Sequence, residues 1–127
     1  MILVVEDNPK MAEVFAKAMA GEGWDTTITN TCESAIESLS TGPYELAIVD
    51  LMLDGLDGVE FARRARAAGS DVPMIAVSGI LEAFDQNVLR SVGFVAWLAK
   101  PLRITELVDL VRKHAHPHPP TSKGPAP

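Results

Sequence analysis

ELAIVDLMLDGLDGVEFARRARAAG, residues 45–69, decides how the chain folds. Leu46–Val49 is a short, continuous apolar run with β-branched residues at its end, the mark of a strand buried on both faces. A loop rich in aspartate and glycine follows, and 58–69 then reads as a helix. Three aspartates, Asp50, Asp54 and Asp57, crowd the junction. They fit a chemical site, a metal site or plain turn residues. Asp57 is separable at once, because Glu60 stands three residues on in the D-x-x-E form of a capping box. Asp57 and Glu60 are therefore given a structural role at the start of the helix.

Outward from this unit the same alternation repeats. ILVV (2–5) is another buried strand, and Asn8 and Pro9 supply an N-cap and first helical residue. Met11, Val14, Phe15, Ala18 and Met19 continue at helical spacing until Gly21 and Gly23. WDTTITN (24–30) suits a more exposed strand, and TCESAIESLS (31–40) a short helix stopped by Gly42 and Pro43. After the opening unit come a strand at MIAVS (74–78), a helix at LEAFDQNVLRSVG (81–93) and a strand at VAWLA (95–99). A closing helix over 103–115 puts Ile104, Leu107, Val108 and Val111 on one face. Five strand–helix units with short loops predict a parallel sheet covered by helices on both sides. The domain is expected to span 1–115. The proline-rich run HPHPPTSKGPAP (116–127) reads as a disordered tail or linker remnant, and its histidines favour no metal site.

Composition narrows the function. At 127 residues the chain is one domain with room for a core, and its net charge is -6. The one short basic cluster, Arg63, Arg64 and Arg66, reads as a solvated helix face, so no direct contact with nucleic acid is expected. A single cysteine, Cys32, excludes an internal disulfide and reads as a small buried residue in a reducing compartment. No apolar run reaches the roughly 18 residues of a membrane span. No secretory signal is apparent, so a soluble, cytoplasmic protein with no membrane contact is expected. All three histidines lie at or beyond residue 114, which removes Ser–His and Cys–His triads.

In an open parallel sheet, ligands bind outside the carboxyl ends of the strands, where strand order reverses. Those ends read Glu6-Asp7, Asp50, Ser78-Gly79 and Lys100-Pro101. Singly each has an ordinary explanation, a cap or a surface lysine. Together they form a phosphoryl-accepting set. Three carboxylates repel unless a cation joins them, and a hard dication such as Mg²⁺ with oxygen ligands answers that need. With Lys100 added, the charges of the site balance. A carboxylate can attack phosphorus, and transfer then relies on neutralising the equatorial oxygens.

The pieces ILVVEDN, IVDLMLDGLDG, MIAVSG and WLAKP, in this order and spacing, make the chain resemble a response-regulator receiver domain of two-component signalling, of the single-domain chemotaxis type. The resemblance implies a (βα)₅ flavodoxin-like α/β fold, a doubly wound parallel five-stranded sheet with strand order 2-1-3-4-5. By resemblance, Asp50 is the phosphoacceptor, taking its group from a phosphohistidine on a histidine kinase or histidine phosphotransfer protein. Asp7 binds Mg²⁺ directly, Glu6 does so through water, and the Met52 backbone carbonyl adds a ligand, with Mn²⁺ a possible substitute. Lys100 pairs with the phosphoryl group, its bond to Pro101 being cis. Ser78 bonds a phosphoryl oxygen, and the small Gly79 leaves room for the donor. The protein would assist its own phosphorylation and slow dephosphorylation without being a turnover enzyme. Output would pass to a protein target through the fourth helix, fifth strand and fifth helix.

Three positions depart from the family's habit. Asp54 stands where many receivers have proline, Ser78 replaces the commoner threonine, and Trp97 stands where tyrosine or phenylalanine swings inward on phosphorylation. The residues flanking the path of the hydrolytic water, Met52 and Ile80, are both apolar here, which predicts slow loss of the phosphoryl group. Three rival readings remain. A flavin carrier lacks support, since Glu6 and Asp7 repel a phosphate after the first strand. A haloacid-dehalogenase-type phosphatase wants a second aspartate where Met52 stands. The third is a receiver-fold interaction module that works without phosphorylation.

Overall fold

The computed structural model describes residues 1–53 and 57–115. Asp54, and the expected tail at 116–127, lie outside the described residues. In chain order the elements are β1 (Ile2–Val5), α1 (Pro9–Gly21), β2 (Thr26–Thr29), α2 (Cys32–Thr41), β3 (Leu46–Asp50), α3 (Gly58–Ala67), β4 (Met74–Ser78), α4 (Gln86–Ser91), β5 (Phe94–Ala99) and α5 (Ile104–His114). The strands form one parallel sheet in the order β2-β1-β3-β4-β5. The parallel sheet is the one that the alternation predicts, and its order is the one that the receiver resemblance implies. β1, β3 and β4 are buried along their whole length, which is why they read as unbroken apolar runs.

Alternate side chains of these strands feed two cores. Leu3, Val49 and Ala76 point to one face, where Ala35 of α2, Phe61 of α3 and Leu89 of α4 cover them. Ile2, Ile48 and Val77 point to the other, under Phe15 and Met19 of α1 and Leu107 and Val111 of α5. β1 has β2 on one side and β3 on the other, so the chain turns back across β1 between them. Strand order therefore reverses there, and sheets of this kind have their ligand crevice at such a point, outside the strands' carboxyl ends.

Local signals act as written in several places. The Asn8 side chain accepts hydrogen bonds from the Lys10 and Met11 amides, with Pro9 opening α1. Asp57 caps α3 by accepting from the Glu60 amide at 2.8 Å. Cys32 is buried.

Elsewhere the sequence reading needs correction. The helix expected over 81–93 is two pieces, a 3-10 turn at Leu81–Ala83 and α4. Phe84 is extended, and Asp85 restarts the helix by accepting from the Asn87 amide at 2.7 Å. Val14 fits the helical spacing of α1 yet is 44% exposed. Gly21 lies within α1, and Gly23, at φ 86, makes the turn that follows it.

Arg66 is the largest departure from a solvated face. Its guanidinium donates to the carbonyls of Ser70, Val72 and Gly93, at 2.8, 2.8 and 3.1 Å. Burial pulls its pKa below that of an ordinary arginine, partly offset by the charge of Asp71. It bolts the end of α3 to the entry of β4 and to the turn before β5.

Candidate functional site

The crevice gathers one residue set from four strand ends. Glu6 follows β1, Asp50 ends β3, Ser78 ends β4 and Lys100 follows β5. Parallel strands in register make this unavoidable: Val5 lies beside Val49, Asp50 beside Val77, and Ser78 beside Ala99. The Lys100 amide donates to the Ser78 carbonyl at 2.8 Å, so the last two ends are fastened together. The Lys100–Pro101 peptide is cis.

Lys100 Nζ sits between two carboxylates, 3.1 Å from Glu6 Oε1 and 3.2 Å from Asp50 Oδ2. Glu6, Asp50 and Ser78 are buried, whereas Asp7 is exposed. The second oxygen of each buried acid is held by backbone. Asp50 Oδ1 accepts from the Met52 amide at 2.9 Å, and Glu6 Oε2 from the Asn8 amide at 3.2 Å. Burial, and then the approach of the Asp50 carboxylate, lift the pKa of Glu6 above its usual range, while Lys100 and the Asn8 amide pull the other way. Burial by itself lowers Lys100, but the hydrogen bond to Glu6 and the charges of Asp50 and Glu6 outweigh it, so its pKa is raised.

The set fits a hard divalent cation. Ligand oxygens from Glu6, Asp7 and Asp50 lie within 4.8 Å of one another, all are carboxylates, and one ammonium cannot balance three such charges. Among the described residues no nitrogen or sulfur ligand joins them, which favours Mg²⁺ over zinc.

Around the rim, Met52 and Ile80 are 50% and 43% exposed. The Ile80 amide donates to Ser78 Oγ at 3.1 Å, which holds the Ile80 backbone beside the hydroxyl. A Cβ at Gly79 would meet nothing within 4 Å. The space beside Gly79 is therefore open.

Trp97 is half-buried on the α4 face of β5, with the Arg90 guanidinium carbon 5.6 Å from its ring centroid. Its neighbour across the ladder on β4 is the small, buried Ala76.

Two participants escaped the sequence reading. Asn8, taken only as a cap, also steadies Glu6 through its amide. Gly58, read as an ordinary first helical residue, donates its N–H to the Leu51 carbonyl at 2.8 Å. A Cβ there would lie 2.8 Å from the Asp50 carbonyl oxygen and 2.9 Å from Leu51 Cα. Only a bare backbone lets α3 start this close to the end of β3. Gly58→Ala is expected to lower stability by about 2 kcal/mol, because backbone rather than a flexible side chain must yield. Urea unfolding checks it, and an unchanged midpoint would show that the close approach is slack. The signal available in sequence was a glycine directly after a capping aspartate, on the loop that carries Asp50.

A model of the response regulator receiver domain matches residues 2–112. Among curated relatives, the uncharacterized transcriptional regulatory protein YkoG of Bacillus subtilis is 32% identical over 111 residues, covering 87% of this chain and 49% of its own length. The DNA-binding response regulator MtrA of Mycolicibacterium smegmatis is also 32% identical over 111 residues, covering 87% and 48%. The chain thus spans about half the length of the curated relatives it matches. Among solved structures, the receiver domain of a Pseudomonas aeruginosa sensor histidine kinase, with magnesium coordinated in its active site cleft, is 30% identical. It aligns at a TM-score of 0.79 over 89% of this chain and 94% of that one. The response regulator TrrA of Thermotoga maritima, in complex with Mg²⁺-BeF, is 25% identical at a TM-score of 0.79, over 88% and 96%.

Proposed function

The chain belongs to the response regulator receiver domain family of two-component signalling, and from that premise we propose that it works as a phosphoryl-accepting switch whose acceptor is Asp50. The carrying observation is the Asp50 carboxylate, buried at the end of β3 and held by Lys100 Nζ at 3.2 Å and the Met52 amide at 2.9 Å. Between them the two contacts engage both of its oxygens, Oδ2 and Oδ1.

In the proposed transfer, an Asp50 oxygen attacks phosphorus of a phosphohistidine on a kinase or phosphotransfer protein. The P–N bond breaks, and the imidazole keeps the electron pair and takes a proton. Glu6, Asp7 and Asp50, with the Met52 carbonyl, would hold Mg²⁺, with Mn²⁺ as a substitute. When bound, the dication supplies charge neutralisation at the phosphoryl oxygens. Lys100, already between Glu6 and Asp50, turns to the new phosphoryl oxygens as they appear. The Ser78 hydroxyl donates to one of them, drawing its loop inward. The bare Gly79 leaves space for the donor ring. We assign the receiver unit to 1–115 and its output to protein contact, with Trp97 part of the responding face. The protein turns over no substrate of its own.

The test is acetyl phosphate, or a phosphohistidine protein, with and without Mg²⁺, on the parent and Asp50→Ala. We expect one phosphoryl group per chain of the parent, released by hydroxylamine as an acyl phosphate is, dependent on Mg²⁺, and none on Asp50→Ala. Label retained in Asp50→Ala, or label indifferent to Mg²⁺, would overturn the mechanism, and a parent that takes no label would favour the interaction module that works without phosphorylation.

A further inference from the structure

The two edges of the sheet differ in kind. β2 presents TTIT, three hydroxyl side chains in four residues. β5 is FVAWLA, six apolar residues in succession, and among the described residues it pairs only with β4. The backbone N–H and C=O groups on its outer side are therefore open to a further strand. Edge strands are usually guarded by lysine, proline or a bulge. β5 has neither residue within it, and its single register irregularity lies at the start of the pairing, opposite Met74 and Ile75. Val95 is 44% exposed on this edge.

Beside the edge runs a groove of about 460 Å³ between β5 and α5. Ala96, Leu98 and Leu110 give it an apolar floor, Trp97 borders it from the strand, and Glu106 and Asp109 give it an acidic wall. Asp109 has Arg112 Nη1 at 3.7 Å, but that guanidinium is already committed to Glu22, at 2.6 and 3.0 Å. Glu106 has no ion-pair partner among the described residues.

Charge chooses the occupant. A second copy pairing β5 to β5 about a two-fold axis would bring the same acidic wall to the seam twice, on chains that each carry -6. An extended segment with cations on one face meets attraction instead. Strand addition supplies affinity through main-chain hydrogen bonds and selectivity through alternate side chains.

We propose that the open edge of β5 docks an extended segment of a partner protein in which Lys or Arg alternates with apolar residues, the cations lying over Glu106 and Asp109. This deepens the functional reading above and rests on β5 and α5 forming the responding face. The α4 side of the same strand, where Arg90 covers Trp97, takes the apolar side chains.

The probe is a seven-residue peptide of alternating lysine and valine, set against its glutamate–valine counterpart. Amide exchange by NMR reports position, and titration reports affinity. The lysine peptide is expected to protect amides of β5 and to weaken at least tenfold against Glu106→Lys/Asp109→Lys, which in turn gains affinity for the glutamate peptide. Glu106→Gln/Asp109→Asn removes charge alone and is expected to fall between the two. Protection on β2, no protection at all, or equal affinity for parent and charge-reversed protein would overturn the proposal. So would self-association of the parent through β5, which makes a second copy the occupant. Running the titration beside acetyl phosphate labelling separates the two readings. Protection of β5 in a protein that takes no label on Asp50 removes the phosphoacceptor and leaves the docking edge. Label on Asp50 with β5 unprotected does the reverse.

Discussion

Gly93→Ala is expected to lower the stability of the fold by about 3 kcal/mol, a fall in Tm of about 10 °C for a domain of this size. Two costs combine. Gly93 has φ +112, a region that side chains rarely adopt, and holding alanine there costs about 1–2 kcal/mol. A Cβ would also stand 2.1–2.5 Å from the Arg66 guanidinium, so Arg66 must leave. Its departure strands the carbonyls of Ser70, Val72 and Gly93, which it now satisfies. The second cost can be isolated. If Arg66 is first replaced by methionine, Gly93→Ala should cost only its backbone part. The double-mutant cycle should then fall short of additivity by about 1–2 kcal/mol. Additive losses in denaturant unfolding would show that the close contact is relieved without disturbing Arg66.

This pair also shows where a sequence is legible and where it is not. Strand positions could be read because β1, β3 and β4 lie in the interior, where both faces demand apolar side chains and the run has no interruptions. The gathering of Glu6, Asp50, Ser78 and Lys100 at one end follows from a parallel sheet, which the strand–helix alternation predicts, whereas the strand order comes from the resemblance to receiver domains. Caps at Asn8 and Asp57 were legible because their bonds reach only two or three residues along the chain.

What stayed hidden depends on contacts between distant segments. Arg66 to Gly93 crosses 27 residues, and in a helical pattern Arg66 looks no different from the solvated Arg63. The apolar spacing of 81–93 suits one helix, and it could not reveal that Asp85 would cap a second start. Gly58 hides for the same reason: its need arises from the end of β3 above it, not from its neighbours in α3. The Arg90–Trp97 contact likewise joins α4 to β5. A reading of residue 97 by itself leaves that partner out.

The second large effect concerns how long a phosphoryl group on Asp50 would last. Hydrolysis needs a water held in line with the bond to the acceptor, and a side chain that accepts or donates a hydrogen bond near that line can hold it. Met52 and Ile80 stand at the two sides of the crevice mouth, each anchored by its own amide, one to Asp50 Oδ1 and the other to Ser78 Oγ. Their backbones are therefore placed by the residue that would bear the phosphoryl group and by the hydroxyl that would bond it, and about half of each residue is in solvent. Neither has a polar atom suited to orienting water, and both can cover the approach. The phosphoprotein is expected to lose its label slowly in Mg²⁺, so that turn-off needs a phosphatase or back-transfer to a histidine. Replacing Met52 by asparagine and Ile80 by glutamate should hasten decay about tenfold, equivalent to about 1.4 kcal/mol off the barrier. Because both side chains are exposed, the exchange leaves the core intact, and unfolding of the double variant should match the parent. Decay of the labelled, purified protein at constant Mg²⁺ decides the matter. Rapid loss from the parent, or the same slow rate in the double variant, would mean that access of water is governed elsewhere in the crevice.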